Sequence, residues 1–483
     1  MNGARISLLT SLEKRLKAWL TGHPDGHERG ALLLFRKFDR STTELSKSPR
    51  YVALDMIELD DDWVLESSPG HILINLRKLP EVYLRCEQEN LELGFVHSHP
   101  SGANAFSTKD EKNEQNILRG YAGCNGTEVS LISLVLVDDH WLARVRSGVA
   151  PKKAEPARHL SVIGDNVSIF LTDPLEEVPA VQKRQEAAFG KPFNQKLAAL
   201  RVAVVGLGGT GSPLATLLAR AGVGELILID GDDIEDTNLN RVRGYRMRDV
   251  GSRKATVLRD FIIGLGMSTR VVAIDQYLFE STLAIDEISG CDFIFGCTDD
   301  VTGRDLLNQA SFYYGIPYID AGLTGRITLD EDGAPYLRDH RGRVSVVLPE
   351  SGKCLRCQRI VTDEKLKYEE AIRARPELAK LDAETLRTEY YLVGGGEQAP
   401  GVGPFTSATA DFAVAAFMNL IRPFRKIDPD LRQDNIWCDF VHMCIHSNLP
   451  TENPECFCCG TGGLKLASEN GYRLGMPSLG RVN

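Results

Sequence analysis

A glycine-rich segment at residues 206–211 constrains the fold of this chain more than any other feature. It follows an apolar, strand-like run at residues 201–205 and precedes a helical pattern at residues 212–221. Glycines at such a junction permit a tight turn and let backbone amides approach a phosphate at the helix N-terminus. Further strand-like runs, separated by helical stretches, lie at residues 225–229, 270–274 and 293–295. This alternation predicts a Rossmann-like, doubly wound and largely parallel sheet.

The side chains that follow this turn distinguish ATP from NAD. The turn alone fits both nucleotides, and Asp230, at the end of the next strand, would bind a ribose in either case. A hydride-transfer enzyme has no need for the polar residues further along, which include Asn238, Arg241, Lys254 and Asp299. This pattern resembles the ThiF/MoeB superfamily, which includes ubiquitin-activating enzymes, from about residue 184 to about residue 422.

The resemblance implies an ATP-dependent adenylyltransferase that uses magnesium. By that resemblance Asp230 binds the ribose, Lys254 contacts the phosphates and acts in catalysis, and Asp299 holds magnesium. The residues expected at the nucleotide are Gly206, Gly208, Gly209, Gly211, Asp230, Asn238, Arg241, Lys254 and Asp299. Attack of a carboxylate on the α-phosphate concentrates negative charge, so cationic side chains and magnesium at that point supply the main stabilisation.

Arg184 lies in a segment that resembles the N-terminal element of the same superfamily, in which an arginine reaches the nucleotide of the opposite subunit. The resemblance therefore implies a homodimer in which Arg184 acts as an arginine finger. A solvated arginine on a helix surface is the alternative interpretation.

Two C-x-x-C pairs predict a structural zinc site. Cys354 with Cys357 and Cys456 with Cys459 provide four thiolates, which fill a tetrahedral site and leave no open position. Many members of the superfamily carry two such pairs. Cys458 lies inside the second pair and leaves the choice of ligand there open. The chain has 11 cysteines and no apolar run typical of an export signal, which favours metal binding over disulfides.

A second constellation, far upstream, predicts a catalytic zinc site. His97 and His99 follow a strand-like run at residues 93–96, and alternate residues of a strand share a face, so both imidazoles can reach one ion. Asp110, in the first turn of the next predicted helix, would complete three protein ligands and leave the fourth position to water. Zinc lowers the pKa of such a water to about 7, which makes hydroxide available at neutral pH.

These residues resemble the JAMM metallopeptidase family, whose pattern is a distant upstream Glu, His-x-His-Pro and a later Ser-x-x-Asp. Glu28 is the candidate base and Ser107 the candidate donor to the oxyanion. Ser107 with Asp110 would also suit a helix N-cap with an acidic residue three positions later. Other glutamates that precede the histidines are Glu58, Glu66 and Glu81.

The prolines and the composition of the chain predict its domain boundaries and its environment. A stretch with several prolines predicts a linker at residues 156–182, between a mixed α/β JAMM-type peptidase domain at 1–155 and the adenylyltransferase domain at 183–483. A net charge of −10 argues against a surface that binds nucleic acid through phosphates. No stretch approaches the roughly 18 apolar residues needed to span a bilayer. A cytoplasmic enzyme is expected.

The two sites together predict a bifunctional enzyme that acts on the C-terminus of a ubiquitin-like protein ending in glycine. A zinc-dependent peptidase would process a precursor or remove conjugates, and an adenylyltransferase would activate the C-terminus with ATP and magnesium. Two zinc ions per chain, a homodimer and a ubiquitin-conjugating-type partner are the accompanying expectations. The alternatives are activation of a sulfur-carrier protein for thiocarboxylate formation, a non-catalytic scaffold, and a nicotinamide-dependent oxidoreductase.

Overall fold

The structure, a computed structural model, divides into two units, residues 1–183 with 466–472, and residues 184–465 with 473–483. It describes residues 3–40, 43, 48–174, 177, 179–350, 353–390, 392, 401–426, 435–448, 453–464, 466–467 and 474. Within these residues, no helix combines the length and the apolar character needed to cross a bilayer.

The first unit is built on a sheet of nine strands in the order β11-β10-β1-β3-β2-β6-β7-β8-β9. Its strands are β1 (Arg5–Leu9), β2 (Gly30–Phe38), β3 (Arg50–Glu58), β6 (Glu92–Ser98), β7 (Ser130–Val137), β8 (His140–Ser147), β9 (Ala154–Pro156), β10 (His159–Ile163) and β11 (Val167–Phe170). A separate pair is formed by β4 (Val64–Ser68) and β5 (His71–Ile74). The helices are α1 (Thr10–Thr21), α2 (Leu79–Glu89) and α3 (Thr108–Asn125).

Helices cover both faces of this sheet. The buried leucines of α1, among them Leu16, pack into one core cluster, while Tyr83 of α2 and Ile117 of α3 belong to another. Every residue of β6 and β7 is buried, which explains why these central strands read as continuous apolar runs. The predicted mixed α/β character, with strands at residues 93–96 and 131–137 and a helix from residue 108, agrees with this arrangement.

The segment predicted as a linker, residues 156–182, is strand for much of its length. β10 pairs in parallel with β1 over five residues, and β11 pairs antiparallel with β10. Both strands therefore belong to the first sheet, and the linker prediction is wrong for residues 159–170. Short strands flanked by prolines misled the prediction, because Pro156 and Pro174 lie outside β10 and β11.

The second unit contains a sheet of eight strands in the order β14-β13-β12-β15-β16-β17-β18-β19. They are β12 (Arg201–Val205), β13 (Glu225–Ile229), β14 (Arg270–Ile274), β15 (Phe293–Gly296), β16 (Tyr318–Leu329), β17 (Pro335–Val347), β18 (Asn435–Asp439) and β19 (Cys444–Ser447). The helices are α4 (Lys183–Phe189), α5 (Lys191–Ala199), α6 (Gly211–Ala221), α7 (Lys254–Gly264), α8 (Thr282–Ser289), α9 (Val301–Tyr314), α10 (Asp363–Ala374), α11 (Ala383–Glu389) and α12 (Gly403–Ile421).

The pairing pattern of this sheet locates a crevice. The neighbouring strands from β14 to β16 are parallel, whereas β16 to β19 are antiparallel. The chain runs outward from β12 through β13 to β14, then returns to β15 on the other side of β12. Ligands of such sheets bind at the carboxyl ends of the strands where the direction of winding changes. The predicted parallel sheet is therefore present, extended by an antiparallel part, and its crevice lies after β12 and β15.

Candidate metal centre and nucleotide site

Four buried polar side chains meet at the carboxyl end of β6. The antiparallel register of β2 and β6 places Gly30 opposite His97, which brings Glu28 beside the histidines. A ligand atom from each of Glu28, His97 and His99 lies within 4.8 Å of the other two. Asp110 joins them from α3, with its oxygens 3.2 Å from His97 Nε2 and 3.5 Å from His99 Nε2. The structure thus assembles all four residues that the motif predicted.

These atoms fit a divalent metal such as zinc. His97 Nε2 and His99 Nε2 are 3.1 Å apart, so both nitrogens can point to one ion. Two imidazole nitrogens and a carboxylate are the donor set of many catalytic zinc sites. Glu28 Oε2 is buried and has no hydrogen-bond partner among the residues that the structure describes. A carboxylate oxygen without a hydrogen-bond partner is free to accept a proton from a metal-bound water, as a general base must.

The helix-cap interpretation of Ser107 and Asp110 is confirmed. Ser107 is the N-cap of α3, its Oγ accepts from the Asp110 amide at 3.2 Å, and its own amide donates to Asp110 Oδ2. The Asp110 carboxylate therefore belongs to the capping box and is also the proposed metal ligand, with the Ser107 amide on one side and the two histidines on the other. The Ser107 hydroxyl accepts in this bond, so its proton remains available for an oxyanion.

Charge at the centre follows from burial and hydrogen bonding. Burial would raise the pKa of Asp110, but its hydrogen bonds with His97 and His99 lower the pKa far below the usual range. Burial raises the pKa of Glu28, and the neighbouring imidazoles only partly oppose this. A carboxylate with a raised pKa holds a proton more readily, as a residue that accepts and returns one must.

The structure also distinguishes Glu28 from the other upstream glutamates. Glu58, Glu66 and Glu81 are exposed, whereas Glu28 is buried. Its amide donates to Ser68 O at 2.9 Å, and its carbonyl accepts from Ser67 Oγ at 3.0 Å. The β4–β5 pair therefore fixes the backbone of Glu28, a contact between distant segments that the sequence did not indicate.

A buried ion network, which the sequence did not predict, joins α3, the helix that carries Asp110, to strand β8. Glu114 of α3 is fully buried and accepts from Arg144 Nη2 at 2.9 Å and from Arg146 Nη2 at 3.0 Å. The Arg144 guanidinium also lies 3.8 Å from the centre of the Phe106 ring. The only signal in the sequence was the alternation of two arginines on one face of β8.

A pocket of about 170 Å³ opens next to the candidate metal centre. Its lining includes His99, Pro100, His23, His27 and Asp138. A substrate segment could therefore approach His99 from solvent. This volume suits a few residues of an extended peptide rather than a folded domain.

The glycine-rich turn of the second unit lies in the crevice described above. Gly206 follows β12 with φ of +84°, and an added Cβ would lie 2.7 Å from the backbone carbon of Cys297. No atom lies within 4 Å of the position a Cβ would take at Gly208, so the turn is open there. α6 begins at Gly211, which directs its N-terminus towards this turn. The predicted glycine turn is present, with Gly209 packed against Arg241 and Thr406.

Asp230 and Lys254 border the turn on the β13 side. Asp230 is buried, and its oxygens accept from the Leu207 amide at 2.6 Å and the Asp232 amide at 2.8 Å. Burial raises the pKa of Asp230. Lys254, also buried, donates to Asp232 Oδ2 at 2.7 Å, and Tyr277 donates to the other oxygen at 2.6 Å. Asp232, to which the sequence analysis gave no role, therefore positions Lys254.

The remaining predicted nucleotide residues lie around the same crevice. Arg241 Nη1 donates to Thr237 O at 2.7 Å, and Asn238 Oδ1 accepts from the Glu235 amide at 3.3 Å. Asp299 is exposed in the segment after β15, beside the turn. Its carboxylate is a suitable ligand for magnesium, which prefers oxygen donors and retains water. Arg184 is exposed on α4, as the solvated-arginine alternative expects, so its proposed action on an opposite subunit stays a prediction.

Four cysteines form a second cluster that fits zinc. Sγ–Sγ distances are 3.8 Å between Cys354 and Cys357, 3.5 Å between Cys354 and Cys456, and 3.4 Å between Cys357 and Cys459. Thiolates at the corners of a tetrahedron around zinc, each about 2.3 Å from the ion, are roughly 3.8 Å apart. Cys458 is buried but lies outside this group of four. The geometry favours the predicted pairs, with Cys456 and Cys459 in the second pair, while the Cys458 thiol also lies against Cys354.

We expect Cys354→Ser to destabilise the second unit, because a closed zinc site contributes folding free energy. A loss of about 3 kcal/mol or more corresponds to a Tm lower by roughly 6–12 °C for a domain of this size. Thermal unfolding together with the metal content of the purified protein would measure both effects. Cys444→Ser is the control, since that thiol is exposed and outside the cluster. An unchanged zinc content in Cys354→Ser would contradict the assignment.

Comparison with known proteins identifies the family to which the second half of the chain is similar. The model of the ThiF family matches residues 182–458. The sulfur carrier protein ThiS adenylyltransferase of Escherichia coli is 34% identical over 131 residues, which are 27% of this chain and 52% of that protein. The SAMP-activating enzyme E1 of Haloferax volcanii is 32% identical over 162 residues, 34% of this chain and 54% of that protein.

One further relative and one solved structure are also similar to this part of the chain. The mouse adenylyltransferase and sulfurtransferase MOCS3 is 37% identical over 147 residues, 30% of this chain and 32% of that protein. Escherichia coli MccB with ATP aligns with 59% of this chain and 76% of its own, at 21% identity and a TM-score of 0.43. The chain thus spans about half the length, or less, of the curated relatives it matches. The family match bears on the adenylyltransferase prediction and leaves the metallopeptidase prediction untested.

Proposed function

Since the chain belongs to the ThiF family, we propose that its second unit uses ATP to adenylate the C-terminal carboxylate of a ubiquitin-like protein of the sulfur-carrier type. The observation that carries this proposal is the open glycine turn at the end of β12, bordered by buried Lys254 and followed across the crevice by Asp299. The names of the relatives, among them ThiS adenylyltransferase and MOCS3, favour sulfur-carrier activation over the conjugation pathway expected from the sequence.

The geometry supports a direct displacement at the α-phosphate. The carboxylate oxygen of the protein substrate attacks the α-phosphorus, the bond to the bridging oxygen breaks, and pyrophosphate leaves. Backbone amides of the open turn and the N-terminus of α6 face the phosphates, while Lys254 and Arg241 supply positive charge. Magnesium bound by Asp299 would neutralise charge on the departing pyrophosphate. Arg184 of an opposite subunit would add a further cation in a homodimer.

Exchange of labelled pyrophosphate into ATP tests the proposal. Purified protein is incubated with ATP, magnesium and the carrier protein ThiS, and exchange is expected only when ThiS has its free C-terminal glycine. ThiS shortened by its last two residues is the matched control, since it keeps the fold but its terminal carboxylate no longer belongs to the C-terminal glycine. Exchange with no carrier protein present, or none with a panel of glycine-ended ubiquitin-like proteins, would defeat the proposal.

We further propose that the first unit is a JAMM-type zinc peptidase that acts on the same kind of C-terminus. What supports it is the convergence of Glu28, His97, His99 and Asp110, all buried, next to a pocket open to solvent. Glu28 would take the proton of the metal-bound water and Ser107 would donate to the oxyanion. A non-catalytic scaffold would have no need to keep a base with an unpaired oxygen among a complete ligand set. Hydrolysis of a peptide bond after the terminal glycine would release the carboxylate that the second unit adenylates.

The nicotinamide-dependent alternative is disfavoured by the residues at the turn. Lys254 and its partner Asp232 lie beside Asp230, where a hydride-transfer enzyme needs a ribose contact but no cation for a phosphate. The named relatives are adenylyltransferases or activating enzymes rather than dehydrogenases. Binding of NADH without any pyrophosphate exchange would be needed to revive this alternative.

A further inference from the structure

Two hydrogen bonds link an exposed aromatic side chain to Lys254 in the second unit. Tyr277, shortly after β14, donates its hydroxyl to Asp232 Oδ1 at 2.6 Å. Lys254 Nζ donates to the other oxygen of the same carboxylate, Oδ2, at 2.7 Å. Lys254 is buried, whereas Tyr277 is 43% exposed. One carboxylate therefore joins a side chain that solvent reaches to the buried lysine that we propose acts on the phosphates.

The protonation of these groups follows from their contacts. Burial would raise the pKa of Asp232, but the hydrogen bonds from Lys254 and Tyr277 lower it, so the carboxylate is ionised at neutral pH. The hydrogen bond with Asp232 raises the pKa of Tyr277 to about 12, so the tyrosine keeps its proton and remains the donor. A lysine ammonium has three N–H donors, and with one donated to Asp232 two remain for phosphate oxygens.

Tyr277 also packs against the backbone that follows the predicted ribose ligand. A Cβ added at Gly231, the residue after Asp230, would lie 2.7 Å from Cγ and 2.7 Å from the amide nitrogen of Tyr277. Glycine at this position permits so close an approach of the two segments, because it has no Cβ. The loop after β14 is therefore in direct contact with the segment that carries both Asp230 and Asp232.

The order of strands places the base of a bound nucleotide on the side of Tyr277. The parallel strands lie in the order β14-β13-β12-β15, with neighbours about 4.8 Å apart. Tyr277 follows β14, Asp230 follows β13, the glycine turn follows β12 and Asp299 follows β15. A ribose held by Asp230, with its phosphates at the glycine turn, carries its base at the opposite end of the sugar. That end lies towards β14, where the exposed Tyr277 ring offers an aromatic surface.

We propose that Tyr277 is a positioning residue that packs its ring against the nucleotide base and, through Asp232, directs Lys254 to the phosphates. Every base has a π-face, so contact with an aromatic ring is favourable. A base in this place restricts rotation of the ring, and the hydroxyl then holds Asp232 with Oδ2 facing Lys254. A small displacement of a charge-stabilising group lowers the rate, so this orientation matters for the reaction. The inference rests on the proposed adenylation and links base binding to the cation that the reaction uses.

Two substitutions in the full-length protein separate the ring from the hydroxyl. Tyr277→Phe keeps the ring, so affinity for a non-hydrolysable ATP analogue, measured by calorimetry, should stay within about twofold of wild type. The same variant loses the hydrogen bond to Asp232, so kcat for pyrophosphate exchange with ThiS should fall about tenfold. Tyr277→Leu removes ring and hydroxyl, and should also weaken binding of the ATP analogue by about fivefold or more. Tyr336→Phe is the matched control, because that tyrosine is exposed on β17.

A double substitution tests whether the hydroxyl acts through Asp232. In protein that already carries Asp232→Ala, adding Tyr277→Phe should lower kcat no further, whereas independent effects would multiply. Circular dichroism with thermal unfolding reports whether each variant is folded.

Three results would overturn the inference: wild-type kcat in folded Tyr277→Phe, an equal further loss in the Asp232→Ala background, or unchanged affinity for the ATP analogue in Tyr277→Leu. Absence of exchange by the wild-type protein with every carrier would instead defeat the adenylation proposal. The affinities of the Tyr277 variants for the ATP analogue would then still decide whether the base contacts this ring.

Discussion

Glu28→Gln should reduce cleavage of a carrier-protein precursor by roughly 10²–10⁴-fold while the protein keeps its zinc and its fold. The amide removes a proton acceptor but changes little in size, and loss of general base catalysis has an effect of this order. His97, His99 and Asp110 remain to bind the metal. The measurements are the rate of release of a C-terminal extension from a ThiS precursor and the zinc content of the purified variant.

Glu66→Gln is the matched control for that experiment. Glu66 also precedes the histidines in the chain, but it is exposed on β4 and no ligand atom of it joins the metal centre. Its variant should cleave as wild type does. Full activity in Glu28→Gln would show that another carboxylate is the base, and loss of zinc in Glu28→Gln would show that Glu28 is a ligand. Absence of cleavage by the wild-type protein would defeat the peptidase proposal itself.

The sequence predicted the local parts of both sites well, because the spacing of a few residues determines them. Residues two apart on a strand share a face, so His97 and His99 converge regardless of the rest of the fold. A glycine turn between a strand and a helix has the same geometry in many sheets, so its location at the end of β12 was also predictable. The cysteine pairs belong to this class as well.

Contacts between distant segments escaped prediction. Residues 159–163 pair with a strand some 150 positions earlier, residues 167–170 pair with that segment in turn, and proline composition gave no hint of this register. Asp232 positions Lys254 across a loop, and Arg343 reaches Asp320 across an antiparallel pair. Such ion pairs depend on which side chains the folded sheet brings together. Sequence spacing alone does not contain that information.

The two proposed activities form a chemically consistent sequence. Hydrolysis of a peptide bond after glycine produces a carboxylate, and adenylation consumes a carboxylate. In a precursor that keeps its extension, the carbonyl of the glycine is part of a peptide bond, so the glycine has no carboxylate oxygen that could attack the α-phosphorus. The chemistry of the two steps therefore gives a physical reason why the peptidase step must precede activation. A precursor with its extension intact should be inert in pyrophosphate exchange until the first unit has cleaved it.

Lys254→Ala and Asp299→Ala are each expected to reduce pyrophosphate exchange by about 10²–10³-fold, since loss of one preorganised charge-stabilising group has effects of this size. The two changes act on different charges. Lys254 would neutralise phosphate oxygens directly, whereas Asp299 would act through magnesium. Raising the magnesium concentration should therefore recover part of the activity of Asp299→Ala and none of that of Lys254→Ala.

Lys367→Ala provides the control, because that lysine is exposed on α10. Lys254→Ala also leaves Asp232 with Tyr277 as its remaining side-chain partner, so thermal unfolding must show that the variant is folded before its rate is interpreted. Exchange at wild-type rates in folded Lys254→Ala would mean that the turn binds a nucleotide without activating its α-phosphate. In that case the positive charge needed for adenylation must come from another cation, and Arg241, packed over Gly209, is the next residue to change.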